Sequence, residues 1–511
     1  MNPLMIMILA LIPLTGGILL LAFNHLTILV PILLPIIGGI ALLLRHHLNE
    51  HMRRIYLEVI ACVTTLFVWI ILLTGGTGMV TLYRFTRGFA IDFACDGLSA
   101  VFAGMVSVMW PLVLLYAFVY MEGEKWTNSF YAFYIMTYGI TLAIAFSASL
   151  LTLYVFFEML TLVTIPLVAH YRNHESMYAA RSYAAYVIGG AALAFVSVVL
   201  VALSGNEGIF AYGGSLSEGY SRQLMQIAYL FGFFGFGVKA AVFPLHAWLP
   251  RASVAPTPVT ALLHAVAVVN SGVFGVMRLT YYSIPAEVVA GTWIHGTVQL
   301  FSAFTIVFAA MMALRERHFK RRLAYSTVSN LSYMLFGITL LTPEGFAGGL
   351  SHMLFHGIIK MTLFLCAGAF MHVTGKEYVY EVNGVGKRMP LVFTMYTLAA
   401  LSLIGIPLFS GFISKWLLVS AGVKSASAWA YIGVGALILS AFLCAMYTLT
   451  VTIRAFIPPA EKDFYAGREE IRDPEWMMLA PILVFSVLNI VFGIWSGPIL
   501  GLIRQIASGL W

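Results

Sequence analysis

The sequence predicts an all-α polytopic membrane protein. Of its 511 residues, 61% are hydrophobic and only 10% are charged, and the mean hydropathy is +0.93. A soluble chain of this length would carry more charge on its surface. Apolar runs of about 20 residues recur from end to end, and each is long enough to cross a hydrocarbon core about 30 Å thick. The longest polar stretch, 458–476, reads as a loop and not as a separate domain.

Apolar spans bounded by proline, glycine and polar residues predict about fifteen helices. The first lies within residues 1–24 and has neither a basic leading segment nor a small-residue cleavage site, so we interpret it as a retained helix. The helices are predicted near 3–23, 27–44, 55–75, 97–121, 128–147, 149–169, 178–203, 223–246, 254–282, 293–313, 322–341, 346–372, 391–420, 429–456 and 476–500.

The distribution of basic residues predicts the orientation of these helices. We place the loop at 45–54 on the cytoplasmic side of a prokaryotic inner membrane and alternate sides from there. Of the 28 Lys and Arg residues, 19 then lie on the cytoplasmic side, 6 outside and 3 within the membrane. This bias follows the positive-inside rule and predicts a cytoplasmic N-terminus and an external C-terminus. The net charge of +7 therefore reflects membrane topology, and we expect no nucleic-acid partner.

The four cysteines are scattered and form no CxxC pair. This spacing argues against an iron–sulfur, zinc or c-type haem site, so we expect no metal and no cofactor on the chain. We interpret the cysteines as small buried hydrophobic residues. They are Cys62, Cys95, Cys366 and Cys444.

Four ionisable residues are predicted to lie deep in the membrane. Three are the cations Lys239, Lys360 and Lys415, and the one carboxylate at similar depth is Glu158. A charge at the bilayer centre costs several kcal/mol unless it is paired or hydrated, so such residues usually face a bundle interior and mark an ion path. The alternative is a structural set that only fixes helix packing.

Two predicted helices contain breaks, and each break is close to one of these lysines. The first reads FGFGVKAAVFPLHAWLP and contains Pro244 and Pro250, and the second reads LSLIGIPLFSGFISKWLLV and contains Gly405 and Pro407. Proline removes a backbone donor and clashes with the preceding turn, which interrupts a helix. Matching interruptions in two halves of a chain are typical of inverted-repeat transporters, whose path lies at the breaks. Simple kinks are the alternative.

The segment SHMLFHGIIKMTLFL places His352, His356 and Lys360 at every fourth position. Positions four apart in a helix differ by about 40° in direction, and eight residues rise about 12 Å. The three residues, here called the histidine–lysine stripe, therefore share one edge of the predicted helix. Because imidazole titrates near neutral pH, the stripe could pass protons with the help of water. A lone histidine there would more often be a satisfied core group.

Four stretches together resemble the antiporter-like subunits of the respiratory complex I superfamily, which includes Mrp antiporters and membrane-bound hydrogenases. They are GVKAAVFPLHAWLPRASVAPTPVTALLHA, AYSTVSNLSYMLFG, HMLFHGIIKMTLFL and GIPLFSGFISKWLL, and the resemblance covers about residues 27–500. It implies fourteen core helices that include two inverted five-helix repeats, each with a broken helix. The first 24 residues depart from this pattern, because they look like an extra helix before the usual start of the family. We accordingly expect an extra helix at 1–24, N-terminal helices at 25–127, repeats at 128–282 and 293–456, and a C-terminal helix at 476–511.

The resemblance also implies roles for individual residues. Glu158 and Lys239 match the glutamate–lysine pair of the family, and the histidine–lysine stripe matches its central relay. Lys415 matches the terminal lysine or glutamate of the second broken helix, and His264 matches a histidine found in some members. The chain departs from the pattern at Asn270, where many members carry a lysine. An amide can orient water but cannot carry a proton, so the connection there would depend on His264 or on water.

We therefore expect a proton-translocating subunit of a larger energy-converting complex, either complex I-like or membrane-bound hydrogenase-like. Its partners would be other membrane subunits, the lipid bilayer and protons. Redox chemistry, if any, would belong to partner subunits, which leaves open whether the chain is part of an enzyme. One alternative is a subunit of an Mrp-type sodium/proton antiporter, with Na⁺ as a further ion. Another is a structural membrane scaffold.

Overall fold

The computed structural model describes residues 25–44, 49–75, 78–86, 89–204, 208–214, 216, 219–459 and 463–510. The helix predicted within residues 1–24 lies outside this part of the chain. A short 3₁₀ turn, His25–Leu29, leads into the first described helix. The helices up to the first break are α1 (Val30–Leu44), α2 (Glu50–Leu73), α3 (Gly97–Tyr120), α4 (Thr127–Ala145), α5 (Leu150–Val168), α6 (His174–Ala202) and α7 (Arg222–Gly237).

The remaining helices continue this arrangement to the end of the described chain. They are α8 (Trp248–Arg251), α9 (Thr257–Ala265), α10 (Val268–Arg278), α11 (Ala286–Val289), α12 (Trp293–Arg315), α13 (Phe319–Thr339), α14 (Pro343–Thr374), α15 (Pro390–Ile404), α16 (Ser410–Lys424), α17 (Ala428–Phe456), α18 (Trp476–Ile494) and α19 (Gly497–Ala507).

The predicted membrane fold is confirmed. Ten helical segments of the described chain are long and apolar enough to cross a membrane. The more polar helices α4 and α13, and the two broken pairs α7–α8 and α15–α16, bring the membrane elements to the expected fourteen. The chain is therefore an integral membrane protein with large apolar side chains on its outer surface, including Leu162, Phe195 and Phe442.

Helix α14 lies at the centre of the bundle. Its 32 residues span about 48 Å, and the apolar part of the helix that can cross the membrane is entirely buried by the rest of the protein. The Thr342 hydroxyl accepts the Gly345 N–H at 3.1 Å and caps the helix at its start, where Pro343 takes the first helical position. Gly375 ends the helix in the left-handed conformation, with φ of 66°. The stripe therefore lies on a helix that contacts protein throughout the membrane.

Two features of the fold differ from the sequence prediction. Residues Val80–Thr86 (β1) and Phe89–Phe93 (β2) form an antiparallel hairpin between α2 and α3, where no strand was predicted. Its end is anchored by the Asp92 N–H, which donates to Thr152 Oγ1 at 2.9 Å. In addition, the helix predicted at 254–282 is divided between Ala265 and Val268. No proline or glycine lies at that division, so the sequence carried no signal for it.

Candidate functional site

The first predicted break is present between α7 and α8. Regular helix stops at Gly237 and resumes at Trp248, with Pro244 between them. The indole N–H of Trp248 donates to the Val238 carbonyl at 2.8 Å, and Pro250 lies in the short helix that follows. A side chain therefore satisfies a backbone acceptor that the interruption releases.

Lys239 lies inside this break and is fully buried. Its ammonium donates to the carbonyl of Phe157 and lies 3.6 Å from the centroid of the Phe157 ring. Phe157 directly precedes Glu158 on α5. Within the described chain, no ion pair joins Lys239 to Glu158, and one carboxylate oxygen of Glu158 has no hydrogen-bond partner. The structure thus brings the predicted pair onto adjoining elements but holds the two charges out of direct contact.

The intervening helix α10 packs very closely against the break. A Cβ atom added to Gly272 would lie 2.5 Å from the Ala240 nitrogen and 2.9 Å from the Lys239 Cβ. Real Cβ atoms do not approach other atoms so closely, so glycine is required here. This contact fixes the backbone on which Lys239 is carried.

His264 and Asn270 lie on either side of the division between α9 and α10, and both are fully buried. The Nδ2 amide of Asn270 donates to the Ala265 carbonyl at 2.8 Å, which satisfies an acceptor at the division. The His264 ring stacks on Phe364 with centroids 4.8 Å apart. In the described chain, His264 Nδ1 and Asn270 Oδ1 have no hydrogen-bond partner. Two polar atoms therefore remain available at this position.

The histidine–lysine stripe is confirmed as one buried edge of α14. His352 Nδ1 is 2.9 Å from Ser414 Oγ, and His352 Nε2 is 3.2 Å from Asn330 Oδ1. The His356 ring follows at a centroid distance of 5.7 Å. Neither ring nitrogen of His356 has a hydrogen-bond partner in the described chain. His352 therefore has a hydrogen-bond partner at each ring nitrogen, whereas His356 has none among the described residues.

Lys360 ends the stripe and is fully buried. Its ammonium donates to Ser326 Oγ at 2.6 Å and to the Leu323 carbonyl at 3.1 Å, both on α13. The Tyr447 hydroxyl lies 2.9 Å from Ser326 Oγ. Lys360 thus has polar neighbours but no acidic hydrogen-bond partner within the described residues, so no carboxylate holds its proton in place.

The second predicted break lies between Ile404 and Ser410, where α15 ends and α16 begins. Gly405 adopts the left-handed conformation with φ of 98°, and Pro407 follows in the connecting turn. Lys415 on α16 turns back into this break. Its ammonium donates to the carbonyls of Leu403, at 2.5 Å, and Ile404, at 3.2 Å.

Side chains of α13 and α16 connect the stripe to the second break. The Tyr333 ring stacks on His352 at 5.4 Å, and the Lys415 ammonium lies 5.1 Å from the centroid of the same ring. Ser414, the partner of His352, directly precedes Lys415. The stripe and Lys415 therefore form one polar cluster, while no hydrogen bond between described residues connects Lys239 to His264.

Sequence reasoning missed several residues of this region. Ser326 and Asn330 are four apart on α13, and this helical spacing within AYSTVSN could have identified them as partners of α14. Lys320, two residues before the helix predicted at 322–341, is only 4% exposed and donates to the Ala255 carbonyl at 2.9 Å. Arg278, at the end of α10, is also buried and pairs with Asp96. Hydropathy places both cations near helix ends but does not reveal that their side chains are buried.

Two further observations concern cysteines and metals. Cys366 and Cys444 are buried as expected, but Cys62 is exposed and Cys95 is only partly buried, so the interpretation was wrong for Cys62. Among the described residues, no group of three or more His, Cys, Asp or Glu side chains could hold a metal ion.

Comparison with known proteins identifies the family. Residues 147–442 match the family described as NADH:quinone oxidoreductase/Mrp antiporter, TM. NADH-quinone oxidoreductase subunit N of Desulforudis audaxviator (strain MP104C) is 32% identical over 82% of this chain and 84% of that protein. Na⁺/H⁺ antiporter subunit A1 of Staphylococcus haemolyticus (strain JCSC1435) is 29% identical over 83% of this chain, which spans 55% of that protein.

A solved structure extends the likeness to the whole fold. A chain of the membrane-bound sulfane sulfur reductase, an archaeal respiratory membrane complex, superposes with a TM-score of 0.83 and 23% identity. The match covers 95% of this chain and 98% of that one. The broken helices, the buried lysines and the family match agree: the chain is an antiporter-like membrane subunit and belongs to the NADH:quinone oxidoreductase/Mrp antiporter family.

Proposed function

We propose that this chain is a proton-translocating subunit of a larger energy-converting complex, complex I-like or membrane-bound hydrogenase-like, in a prokaryotic cytoplasmic membrane. The observation that carries the proposal is the buried stripe on α14. Three titratable groups lie along one helix edge, sealed from lipid, and His356 has both ring nitrogens without a partner in the described chain. Ionisable groups at this depth are costly to bury unless they are paired or hydrated, and they usually mark an ion path.

The first step assigns a switching role to Glu158 and Lys239. A lysine holds its proton more tightly while a carboxylate is close, and it releases the proton more readily when the carboxylate moves away. The separated pair, with Lys239 bonded to the Phe157 carbonyl, supports an alternation between contact and separation. A small movement of α5 would change the distance between the two charges.

The following steps assign proton transfer to His264, to the stripe and to Lys415. A proton released by Lys239 would reach His264 or a water molecule near Asn270, and then His356 and Lys360. Each of these groups can exist with or without the transferred proton. Lys415 would form the exit, because its break contains backbone carbonyls that can bind an ammonium or water.

The position of the two breaks supports the proposed repeats. In residues 128–282 the broken helix is the fourth of five membrane elements, and in residues 293–456 it is again the fourth of five. We propose that these segments are the two inverted repeats, preceded by 1–24 and 25–127 and followed by 476–511. The N-terminus would be cytoplasmic and the C-terminus external, as the charge bias predicts.

A second candidate function is a subunit of an Mrp-type sodium/proton antiporter that works without redox chemistry. The similarity to a Na⁺/H⁺ antiporter subunit favours it. Partner subunits distinguish the two: copurification followed by mass spectrometry would reveal either redox-enzyme subunits or only small membrane subunits. A structural scaffold is the third candidate, and it predicts that neutralising the buried charges leaves transport unchanged.

The substitution Glu158→Gln tests the proposal. It preserves the shape of the side chain but removes the charge that would switch Lys239, so we expect proton transport in proteoliposomes to fall at least about tenfold, a change of about 1.4 kcal/mol. A pH-sensitive dye reports transport, and mass spectrometry checks that the complex is assembled. The matched control is Glu287→Gln, which removes an exposed carboxylate on α11 and should leave transport unchanged.

Equal transport by wild type and Glu158→Gln, in a fully assembled complex, would contradict the proposal and favour the scaffold function. Measuring ²²Na⁺ flux in the same vesicles separates the first two candidates. Sodium movement that disappears together with proton movement would favour the antiporter.

A further inference from the structure

A cavity of about 440 Å³ lies away from the buried line of titratable groups, where the loop after α3 meets the loop after α5. Both loops are on the side that the charge bias makes cytoplasmic. None of the residues around the cavity belongs to the proposed proton path. Its polar wall contains Ser129, His170 and Arg172, and its apolar wall includes Phe133, Pro166 and Met177.

Arg172 and Trp126 form the outer edge of the cavity. The guanidinium carbon of Arg172 lies 3.9 Å from the Trp126 ring centroid, a close cation–π contact. Both residues have left-handed backbone conformations, with φ of 52° and 61°, which are unfavourable for residues other than glycine. Among the described residues, no carboxylate pairs with Arg172. The cation is therefore held in one place without a counter-charge.

The N-terminus of α4 opens toward the same cavity. Its N-cap residue is Trp126, and an indole offers no acceptor to the N–H groups of the first turn. Ser129, in that first turn, lines the cavity. A helix N-terminus carries partial positive charge, so it adds to the attraction that Arg172 exerts on an anion.

His170 provides independent evidence that a ligand binds here. Its side chain is only 6% exposed and packs against the rings of Phe130, at 5.2 Å, and Tyr171, at 5.5 Å. No described residue forms a hydrogen bond with its ring nitrogens, although it lines the cavity. Burial, together with the nearby Arg172, lowers the pKa of His170 to about 4. The imidazole is therefore neutral near pH 7 and has one N–H to donate.

We propose that this cavity binds the phosphate group of an anionic phospholipid. Arg172, the N-terminus of α4 and His170 supply the positive charge and the donors that a phosphate diester requires. The apolar wall, with Met177 38% exposed at its edge, distinguishes a lipid from free phosphate because it can cover the glycerol and upper acyl segments. A tryptophan at the mouth is typical of the membrane–water interface.

The acidic residues of the same loop do not line the cavity. Glu122 lies 3.5 Å from Arg54, and the cavity lining contains no carboxylate. Anionic lipids are concentrated on the cytoplasmic leaflet, where they attract basic protein surfaces. The charge of the cavity and its expected location therefore agree.

The substitution Arg172→Asn tests the proposal with little risk of misfolding, because asparagine tolerates the left-handed backbone. Native mass spectrometry of the purified complex would measure retention of phosphatidylglycerol, with phosphatidylcholine for comparison. We expect Arg172→Asn to weaken phosphatidylglycerol binding about tenfold, since charge-assisted hydrogen bonds are lost. His170→Phe, which keeps the ring but removes the donor, should weaken it about threefold. The matched control Arg181→Gln, an exposed cation on α6, should bind like wild type.

The proposal is overturned if Arg172→Asn and Arg181→Gln retain phosphatidylglycerol equally, or if phosphatidylcholine binds as well as phosphatidylglycerol. Inorganic phosphate is the third probe. If phosphate alone competes at the same concentration as a short-chain phosphatidylglycerol, the cavity recognises a free anion, and its assignment to lipid is wrong. Unchanged thermal unfolding of each variant in detergent would confirm that the fold is intact.

Discussion

The two broken helices hold their lysines in different ways. Lys239 in the first break donates to a carbonyl of another helix, at Phe157 beside Glu158. Lys415 in the second break donates to carbonyls of its own broken helix, at Leu403 and Ile404. A movement between helices would therefore disturb Lys239 but leave the partners of Lys415 unchanged. The proposed function accordingly assigns a charge switch to the first half of the chain and a proton-binding residue with unchanging partners to the second.

The groups that surround the two breaks also differ. Glycine and backbone close the first break, where Gly272 contacts Lys239 and Ala240. Hydroxyl and amide groups surround the histidine–lysine stripe and the second break. Near the second break, Ser402 Oγ and Ser410 Oγ both donate to Asn489 Oδ1, at 2.7 Å and 2.5 Å. Close packing transmits movement, whereas hydroxyl groups relay protons or hold water, so the two halves suit different steps of one process.

The largest effect is expected from Gly272→Ala, which disturbs the close packing of α10 against the first break. The added methyl group must push away the backbone of Lys239, at a cost of about 1–3 kcal/mol in the free energy of unfolding. We expect a lower unfolding temperature of the purified protein and slower proton transport, because the Lys239 ammonium is displaced from α5. Gly435→Ala on α17 is the matched control, since its Cβ would meet no atom within 4 Å. Identical behaviour of the two variants would show that the first break is not tightly closed.

An intermediate effect is expected from Ser326→Ala, which removes a hydroxyl group that accepts a hydrogen bond from Lys360. Lys360 would keep the Leu323 carbonyl as a partner and lose one hydrogen bond, about 1 kcal/mol or roughly fivefold in transport rate, and the Tyr447 hydroxyl would lose its bond to Ser326 as well. Ser332→Ala on the same helix is the control, because the Ser332 hydroxyl is buried without a partner among the described residues. If both variants transported protons at the wild-type rate, the hydroxyl groups would be packing only.

The smallest effect is expected from Asn270→Lys, at the point where the two halves meet. A lysine ammonium could replace the amide as donor to the Ala265 carbonyl, and the partnerless Oδ1 indicates that the pocket accepts polar groups. We therefore expect an assembled complex with transport within about twofold of wild type, a change below about 0.5 kcal/mol. Gross misfolding, measured as loss of the complex during size-exclusion chromatography, would show that the pocket is dry and closed.

Residue spacing predicted the histidine–lysine stripe better than it predicted the contacts of Lys239. The four-residue period of His352, His356 and Lys360 fixed a common helix edge, because helical geometry alone brings such positions together. The sequence could not indicate that Lys239 contacts Phe157 and not Glu158, since that distance depends on how α5 and α7 pack. It also gave no signal for the division between α9 and α10. There, the side chain of Asn270, and not a proline, satisfies the released carbonyl.

The burial of cations at helix ends could not be predicted from the sequence. Lys320 lies at the start of α13 and Arg278 at the end of α10, and both are buried in the structure. A cation at a helix end can reach backwards to a carbonyl or an aspartate, which hydropathy alone does not reveal. The β-hairpin was missed for a different reason: its strands are short, and β1 is mostly exposed.

The most direct test of the central claim, that the stripe conducts protons, is a comparison of Lys360→Met with Lys360→Arg. Methionine keeps the length of the side chain but removes the titratable group, while arginine keeps the charge and the donors but does not release its proton in proteins. Proton transport is measured in proteoliposomes with a pH-sensitive dye, after assembly has been checked. Lys424→Met, at a position 69% exposed in its side chain, is the control.

We predict that both Lys360 variants assemble, that both lose at least about nine-tenths of proton transport, and that Lys424→Met retains it. Recovery of transport by arginine, but not by methionine, would assign Lys360 a purely structural role as a hydrogen-bond donor to α13. Wild-type transport in either variant would contradict the account, since the stripe would then be packing and not a path.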